Sequence, residues 1–271
     1  MVTRQSDPDS GDLPTEERLR ESLVELESEI DELRGKLADQ LAIGRNFLSD
    51  AAHAIRSPLT VTHSYLEILH TDLTDGLSYH QLSFLTIAYE NVVKLRRLVD
   101  DLVDLAALET GTATIDIEAT HIDEIVDSIR VELLPSAQEK GLELTTEFAD
   151  GLPSIEVDVD RCGDVVRRLL DNAIRFTPEG GAVRIRAGHD QSHVSMKVED
   201  SGVGIPADRV DDAFRPFVQL HRQAGENREN YGLGLAICRR QVEAFGGTLE
   251  LESAEGQGTT ATIRIPVKEN K

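Results

Sequence analysis

The spacing of apolar residues changes near residue 110, and this change limits the possible folds more than any other feature of the sequence. Before it, leucine, isoleucine and valine recur every three or four positions, which is typical of amphipathic helices. After it, apolar and polar residues alternate in short runs, which is typical of strands. The sequence therefore predicts a helical N-terminal part followed by a layered α+β domain.

The helical part divides into three segments. Residues 1–14 are rich in Ser, Asp and Pro and are predicted to be a disordered tail. Residues 15–46 show the 4-3 apolar spacing of a coiled-coil signalling helix, with a single amphipathic helix as the alternative. Residues 47–110 contain two helical stretches joined through the turn signal Asp75-Gly76 and so predict an antiparallel hairpin. Because a hairpin cannot bury its apolar stripe alone, two copies are expected to form a four-helix bundle in a homodimer.

Residues 111–271 form the predicted α+β domain, an α/β sandwich. The runs that predict strands are TATIDI, LELTTEF, AVRIRA, HVSMKVED, GTLELES and TTATIRIPV. Helical patterns lie between these runs, near residues 122–138, 160–176 and 232–245.

Acidic side chains greatly outnumber basic ones, by 50 to 28, for a formal net charge of −22. Direct binding to nucleic acid or to an anionic membrane needs basic patches, so neither is an expected partner. Cys162 and Cys238 form no CxxC motif, and no apolar run approaches the roughly 18 residues of a membrane span. We therefore expect a cytoplasmic protein with reduced thiols and no direct membrane span.

Three motifs after residue 170 indicate a nucleotide site. Residues 171–177 (DNAIRFT) place an amide, a cation and an aromatic ring at the end of a helix. Residues 200–204 (DSGVG) follow a strand, where glycines allow close backbone approach and a carboxylate can accept a hydrogen bond from an exocyclic amine. Residues 231–237 (YGLGLAI) open a helix whose N-terminal amides suit phosphate. In the hairpin, His53 lies off the apolar stripe and is a candidate nucleophile.

In this combination, residues 47–267 resemble the transmitter core of sensor histidine kinases. Residues 53–59 (HAIRSPL) resemble the phosphoacceptor box of that family, and residues 172–177 (NAIRFT) resemble its N box. The other similar segments are 200–204 with the first glycine box, 214–217 (FRPF) with the F box, 232–235 (GLGL) with the second glycine box, and 246–247 and 256–259 with the closing glycines.

The resemblance implies a role for each matched position. His53 would accept the γ-phosphoryl group of ATP and pass it to an aspartate on the receiver domain of a response regulator. Asn172 would hold Mg²⁺, and Arg175 would contact phosphate. Phe176 would pack near the adenine, and Asp200 would bind the adenine amine. The further positions expected in the ATP pocket are Gly202, Gly204, Gly232, Leu233, Gly234, Leu235 and Thr259.

The resemblance also implies the surroundings of the pocket and the source of the signal. Residues 218–231 would form a lid over the nucleotide, and Phe214 and Phe217 are expected to be core anchors beneath it. Because the sequence contains no sensor domain, the input is expected from an upstream sensor domain or from a separate sensor protein.

Departures from the family pattern leave a second function open. Ala54 stands where the family has an acidic residue, and general-base help of that kind is worth about 10²–10⁴-fold in rate. Arg168 stands where the N box has a further Asn, and would either reach a phosphate or point to solvent. The alternative is therefore a dimeric nucleotide-binding signalling scaffold, a pseudokinase with little autokinase activity. An ATPase or serine/threonine kinase of the same superfamily is a third possibility, which the phosphoacceptor box argues against.

Overall fold

A computed structural model describes residues 55–56, 59–69, 77–220 and 231–267 of the chain. The chain divides into two compact units, Met1–Phe47 and Leu48–Lys271, and every described residue belongs to the second. The predicted tail and coiled coil therefore lie outside the described residues. The same holds for His53, for Ala54 and for residues 221–230 of the predicted lid.

The first described elements are two antiparallel helices, as predicted. Helix α1 comprises residues 55–56 and 59–69, and helix α2 runs over Tyr79–Thr110. Leu59 of α1 packs with Val99 of α2, whereas His63 lies with its ring centroid 5.3 Å from that of Tyr89. Residues later in α1 contact residues earlier in α2, so the two helices run in opposite directions.

Local chemistry fixes both ends of α2. Ser78 caps its first turn in a reciprocal capping box with Gln81. Gly111 ends it in the left-handed conformation, at φ 68°, which glycine adopts without steric cost. Helix α2 is 32 residues long. No helix in the described part of the chain combines the length and the apolar content needed to cross a membrane.

The rest of the described chain is a mixed sheet covered by helices on one face. The strands of this sheet are β2 Glu143–Phe148, β4 Ala182–His189, β5 His193–Asp200, β6 Thr248–Ala254 and β7 Gly258–Pro266. They pair in the order β2-β4-β5-β7-β6, with β2 parallel to β4 and the other neighbours antiparallel. The helices are α3 Ile122–Glu139, α4 Val159–Phe176 and α5 Gly234–Ala244, with short 3-10 turns at Ala207–Arg209 and Asp211–Phe214.

One predicted strand is wrong. TATIDI, residues 112–117, forms no strand, and the chain instead pairs just after it, where β1 (Glu118–Thr120) lies antiparallel to β3 (Ile155–Val157). Strand β3 was not predicted from the sequence. Each of these strands has three residues, too few for an alternating pattern to be recognised.

Helix α4 is the central helix of the core. Val165, Val166 and Leu170 on one of its faces are fully buried, because they pack in the same cluster as Val183 and Ile185 of β4. The opposite face of β4 carries the exposed residues between them. Helix α4 therefore covers the buried face of β4. Its C-terminal end, which carries the N box, lies beside the start of β4 and the end of β5.

The two cysteines are free and buried in helices, which confirms their predicted helical positions. Burial raises the pKa of the Cys162 thiol to about 12, with a further contribution from the charge of Asp158, and burial raises that of Cys238 to about 12.

We expect native protein to resist iodoacetamide at pH 8 and to take up two equivalents in urea, because only thiolates react. Mass spectrometry of the alkylated protein measures this, and rapid labelling of the native form would contradict it.

Candidate nucleotide-binding site

The N box occupies the last turns of α4. Asp158 caps the start of this helix by accepting a hydrogen bond from the Arg161 amide at 3.0 Å. Asn172 and Phe176 are half-buried, and the Arg175 guanidinium carbon lies 5.7 Å from the centroid of the Phe176 ring. The amide, the cation and the aromatic ring are thus grouped at one helix end, as the sequence predicted.

A residue that the sequence analysis missed completes this helix end. Lys140 Nζ donates to the carbonyl oxygens of Ile174 at 2.9 Å and Arg175 at 2.6 Å. A cation on the last carbonyls of a helix satisfies acceptors that have no partner inside the helix. A lysine next to Gly141 at the end of α3 gives no local signal of this contact, since its acceptors lie 34 and 35 residues away.

Asp200, the last residue of β5, organises the turn that follows it. Its Oδ1 accepts the backbone N–H of Gly202 at 2.8 Å and that of Thr259 at 3.2 Å. Burial raises the pKa of Asp200, and these two hydrogen bonds only partly oppose the rise. Because Oδ1 takes both backbone bonds, Oδ2 is left to accept a hydrogen bond from a ligand.

The glycines of this turn are required by close backbone approach. A methyl group on Gly202 would lie 2.6 Å from both Asp200 Oδ1 and the carbonyl oxygen of Phe176. Gly204 and Gly258 both have positive φ, and methyl groups there would overlap the carbonyl oxygens of Ala254 and Asp200. Such contacts exclude any side chain at these three positions and hold the backbone segments close together.

The end of the N box and the first glycine box are in direct contact. The Val203 amide donates to the Phe176 carbonyl oxygen at 3.2 Å. Thr259, from the closing glycines, joins the same cluster through Asp200 and through a 2.9 Å contact between its Oγ1 and Ser253 Oγ. Three motifs that are distant in sequence therefore meet around one carboxylate.

Ser253 was not predicted as a site residue, yet it ties two of these segments together. Its hydroxyl donates to the Gly258 carbonyl oxygen and accepts the Ile205 amide, each at 2.8 Å. It also aligns with Thr259 across the β6–β7 pair. The only sequence signal was a polar residue on a strand, which is not specific.

The second glycine box starts helix α5. Gly232 has φ 74°, and a methyl group there would lie 2.5 Å from the Val218 carbonyl oxygen. Leu233 is 1% exposed and packs with Leu105 of α2, and Leu235 packs against the main core. The first turn of α5 has no side-chain cap and no acidic residue, so its amides are available to an anion.

Of the two positions expected for Arg168, the one that points to solvent is wrong. Its Nη2 donates to Asp101 Oδ1 of α2 at 2.8 Å, and its Nε donates to Asp164 Oδ2 at 2.7 Å. Burial disfavours the charged guanidinium, but these hydrogen bonds and charges outweigh it and raise the pKa of Arg168. The side chain therefore neither points freely to solvent nor depends on a phosphate for a partner.

The two F-box phenylalanines differ. Phe214 is buried, as expected of a core anchor, and the guanidinium carbon of Arg239 lies 4.1 Å from its ring centroid. The same expectation for Phe217 is wrong, because this side chain is 59% exposed and its backbone has φ 65°. Its amide donates to the Gly232 carbonyl oxygen at 2.9 Å, and this bond turns the side chain outward by fixing the backbone.

Part of the phosphoacceptor box can be placed although His53 cannot. Arg56, three residues after His53 in the sequence, pairs with Asp100 of α2, with Nη2 at 2.8 Å from Oδ1. Asp100 and Asp101 are consecutive on α2 and bind one arginine from each of two boxes. Residues 53–54 and 57–58 lie outside the described residues.

The residues present suit ATP. Asp200 offers an acceptor beside the side-chain-free turn at Gly202, and Asn172 makes no side-chain hydrogen bond within the described part of the chain. An Asn amide oxygen is a hard ligand of the kind that Mg²⁺ prefers. No cluster of three His, Cys, Asp or Glu that could hold a metal occurs among the described residues.

Two family models match the chain. Residues 157–269 match the histidine kinase-, DNA gyrase B- and HSP90-like ATPase family, and residues 43–111 match the His Kinase A (phospho-acceptor) domain. Among solved structures, full-length ShkA in complex with AMPPNP is 28% identical with a TM-score of 0.70, over 81% of this chain and 45% of that one. The Acinetobacter baumannii histidine kinase AdeS, at 22% identity and a TM-score of 0.58 over 80% of this chain and 98% of that one, shares the fold.

Curated relatives agree with these matches. The adaptive-response sensory kinase SasA of Synechococcus sp. (strain JA-3-3Ab) is 31% identical over 96% of this chain and 70% of its own length. The non-motile and phage-resistance protein of Caulobacter vibrioides is 28% identical over 93% of this chain, which spans 30% of that protein. Both family models, the SasA relative and the helical hairpin lead to one conclusion: the chain belongs to the sensor histidine kinases of two-component systems, which are ATP-dependent phosphotransferases.

Proposed function

We propose that the chain phosphorylates itself on His53 from ATP and relays the phosphoryl group to an aspartate on the receiver domain of a response regulator. The observation that carries this proposal is the contact between the N box and the first glycine box around Asp200. One imidazole nitrogen of His53 forms a bond to the γ-phosphorus as the bond to the β–γ bridging oxygen breaks, and ADP leaves.

Specific side chains are proposed to hold the nucleotide. Asp200 Oδ2 accepts the adenine amine, and Phe176 packs near the ring. Asn172 holds Mg²⁺, which neutralises charge on the phosphates when bound. Arg175 contacts phosphate together with the free amides of the first turn of α5. The remaining proposed pocket residues are Gly202, Gly204, Gly232, Leu233, Gly234, Leu235 and Thr259.

A homodimer is part of the proposal, and the surface of the hairpin supports it. Apolar side chains on α1 and α2 stay exposed in the single chain, and such a surface is unusual unless a partner covers it. Among them are Val61, Tyr65, Ile68, Tyr79, Phe84 and Ile87. A second hairpin would bury these side chains in a four-helix bundle.

The proposed organisation follows the boundaries predicted from sequence. Residues 1–14 are a tail, 15–46 a signalling helix, 47–110 the dimerisation and phosphotransfer domain, and 111–271 the catalytic domain. The signalling helix receives input from an upstream sensor domain or a separate sensor protein, and the protein acts in the cytoplasm, where ATP and receiver domains are found.

A pseudokinase scaffold is the second candidate. The pairing of Arg168 with Asp101 and Asp164 favours it, because the N-box position is engaged in holding α2. Ala54 favours it as well, since the side chain after His53 cannot act as a base.

Radiolabelling separates the two candidates. Incubation with Mg²⁺ and γ-labelled ATP is expected to give acid-labile, base-stable label in wild type and none in His53→Gln, because phosphohistidine has that stability, whereas phosphate esters survive acid and acyl phosphates are lost in base. His63→Gln is the matched control, since this second imidazole of the hairpin packs on Tyr89, and it should keep the label. Measurable ATP binding without any label would support the pseudokinase scaffold. Label that survives in His53→Gln would refute the assignment of His53 as the phosphoacceptor.

A further inference from the structure

Helix α5 docks on the C-terminal half of α2. Leu233, Ala236 and Ile237 of α5 form one buried cluster with Leu105, against which further α2 leucines pack. We name as the docking surface of α2 the residues Leu98, Asp101, Leu102, Asp104, Leu105 and Leu108. Because Leu233 lies between the two glycines of the second glycine box, the docking surface contacts the nucleotide site itself.

Polar contacts surround this cluster. Arg161 Nη1 donates to Asp104 Oδ1 at 2.8 Å, and Arg168 Nη2 donates to Asp101 Oδ1 at the same distance. Gln241 Nε2 lies 3.3 Å from Asp104 Oδ2 and 3.4 Å from Asp164 Oδ2. Two arginines of the catalytic domain therefore depend on two carboxylates of α2 for part of their pairing.

The guanidinium of Arg168 stands next to the start of α5. A methyl group on Gly234, the first residue of that helix, would lie 4.0 Å from Arg168 Nη1. Arg168 also precedes Asn172 by one helical turn on α4. A cation beside an uncapped helix N-terminus attracts anions, and in this structure Arg168 binds the carboxylate of Asp101 on α2 besides that of Asp164 on its own helix.

We propose that Asp101 is an internal competitor of the nucleotide phosphates, so that docking of α2 on the catalytic domain and binding of ATP oppose one another through Arg168. The inference rests on the proposed function, because it needs the phosphates of ATP to approach α5. When α2 is docked, Asp101 neutralises Arg168. When α2 is released, Arg168 Nε stays on Asp164, but Nη1 and Nη2 lose Asp101 and can contact phosphate, so ATP binds more tightly. Asp101 is thus a positioning residue that acts through Arg168.

Isothermal titration of the full chain with ATP and Mg²⁺ tests the competition. Asp101→Asn should bind ATP about tenfold more tightly than wild type, within the range usual for coupled sites. Asp100→Asn is the matched control, because the neighbouring carboxylate pairs with Arg56 and not with Arg168, and its ATP affinity should equal that of wild type. In an Arg168→Asn background, Asp101→Asn should change the affinity no further.

Each other outcome has a defined meaning. Equal or weaker ATP binding by Asp101→Asn, or an equal gain in Asp100→Asn, overturns the competition while leaving the proposed function intact. A gain that persists in the Arg168→Asn background shows that Asp101 acts by general charge repulsion, which also overturns it. Failure of wild type and every variant to bind ATP refutes the proposed function, and the inference with it.

Discussion

Replacing Asp200 by asparagine is expected to weaken ATP binding by about 100-fold or more, because a site built to pair a polar group rejects a mismatch strongly. The two backbone amides that donate to Oδ1 must keep an oxygen as their acceptor. The amide nitrogen of the new side chain is then forced toward the adenine amine, and two donors face each other. Fluorescence titration with a nucleotide analogue measures the loss.

The same substitution should leave the fold as stable as wild type at neutral pH, or slightly more stable. Burial raises the pKa of Asp200 in the folded state. When the pKa of a group is higher in the folded than in the unfolded state, protonation of that group stabilises the fold. This stabilisation is fully present below the unfolded pKa and is lost as the pH rises through the folded pKa. Ionised Asp200 therefore costs stability at pH 7, and asparagine removes that cost while keeping the oxygen that Gly202 and Thr259 need.

Two measurements check this pairing of effects. The difference in Tm between Asp200→Asn and wild type should shrink as pH is lowered through the raised pKa, and ATP binding by wild type should weaken over the same interval. Glu199→Gln is the control, since this neighbouring carboxylate pairs with Arg186 at the sheet surface and should leave ATP affinity unchanged. A strongly destabilised Asp200→Asn, or one that binds ATP normally, would contradict the role given to this carboxylate.

The second large effect is expected from Gly258→Ala, which should lower the free energy of unfolding by more than about 4 kcal/mol. A methyl group there would overlap the carbonyl oxygen of Asp200 and press on the Gly202 amide, 3.1 Å away. Because those atoms are backbone, and Asp200 lies in strand β5 paired with β7, they cannot move aside cheaply. Urea unfolding followed by circular dichroism measures the change.

Gly256→Ala is the matched control for this prediction. Gly256 and Gly258 share the left-handed conformation, with φ 75° and 84°, but nothing lies within 4 Å of a methyl group on Gly256. The control should lose only about 1–2 kcal/mol, the conformational penalty of a side chain at positive φ. Equal losses in the two variants would show that the contact with Asp200 contributes nothing.

The tight turn after β5 could be predicted from the sequence because its parts are local. Asp200, Gly202 and Gly204 lie within five residues, and the strand before them alternates over eight residues, long enough for its period to be recognised. Helix α4 was predicted for the same reason, since its apolar face repeats over 18 residues.

What the sequence did not predict depends on contacts between distant residues. The partner of Arg168 lies 67 residues away, and nothing near either residue distinguishes that ion pair from solvation. Phe217 has a large apolar side chain of the kind that is usually buried, but the positive φ of its own backbone turns this side chain outward. Chemical type indicates what a side chain can do, whereas the tertiary fold decides which atom it meets.

Helix α2 contains no glycine or proline over its 32 residues, so it has no point at which it bends easily. Asp100 and Asp101 project from one rigid rod, about 100° apart around its axis. At a side-chain radius of about 5–6 Å, turning that rod by about 20° moves both carboxylates by about 2 Å, enough to break a 2.8 Å hydrogen bond. A rotation of α2 about its axis would therefore break the ion pair with Arg56 of the phosphoacceptor box and the ion pair with Arg168 before the N box at the same time.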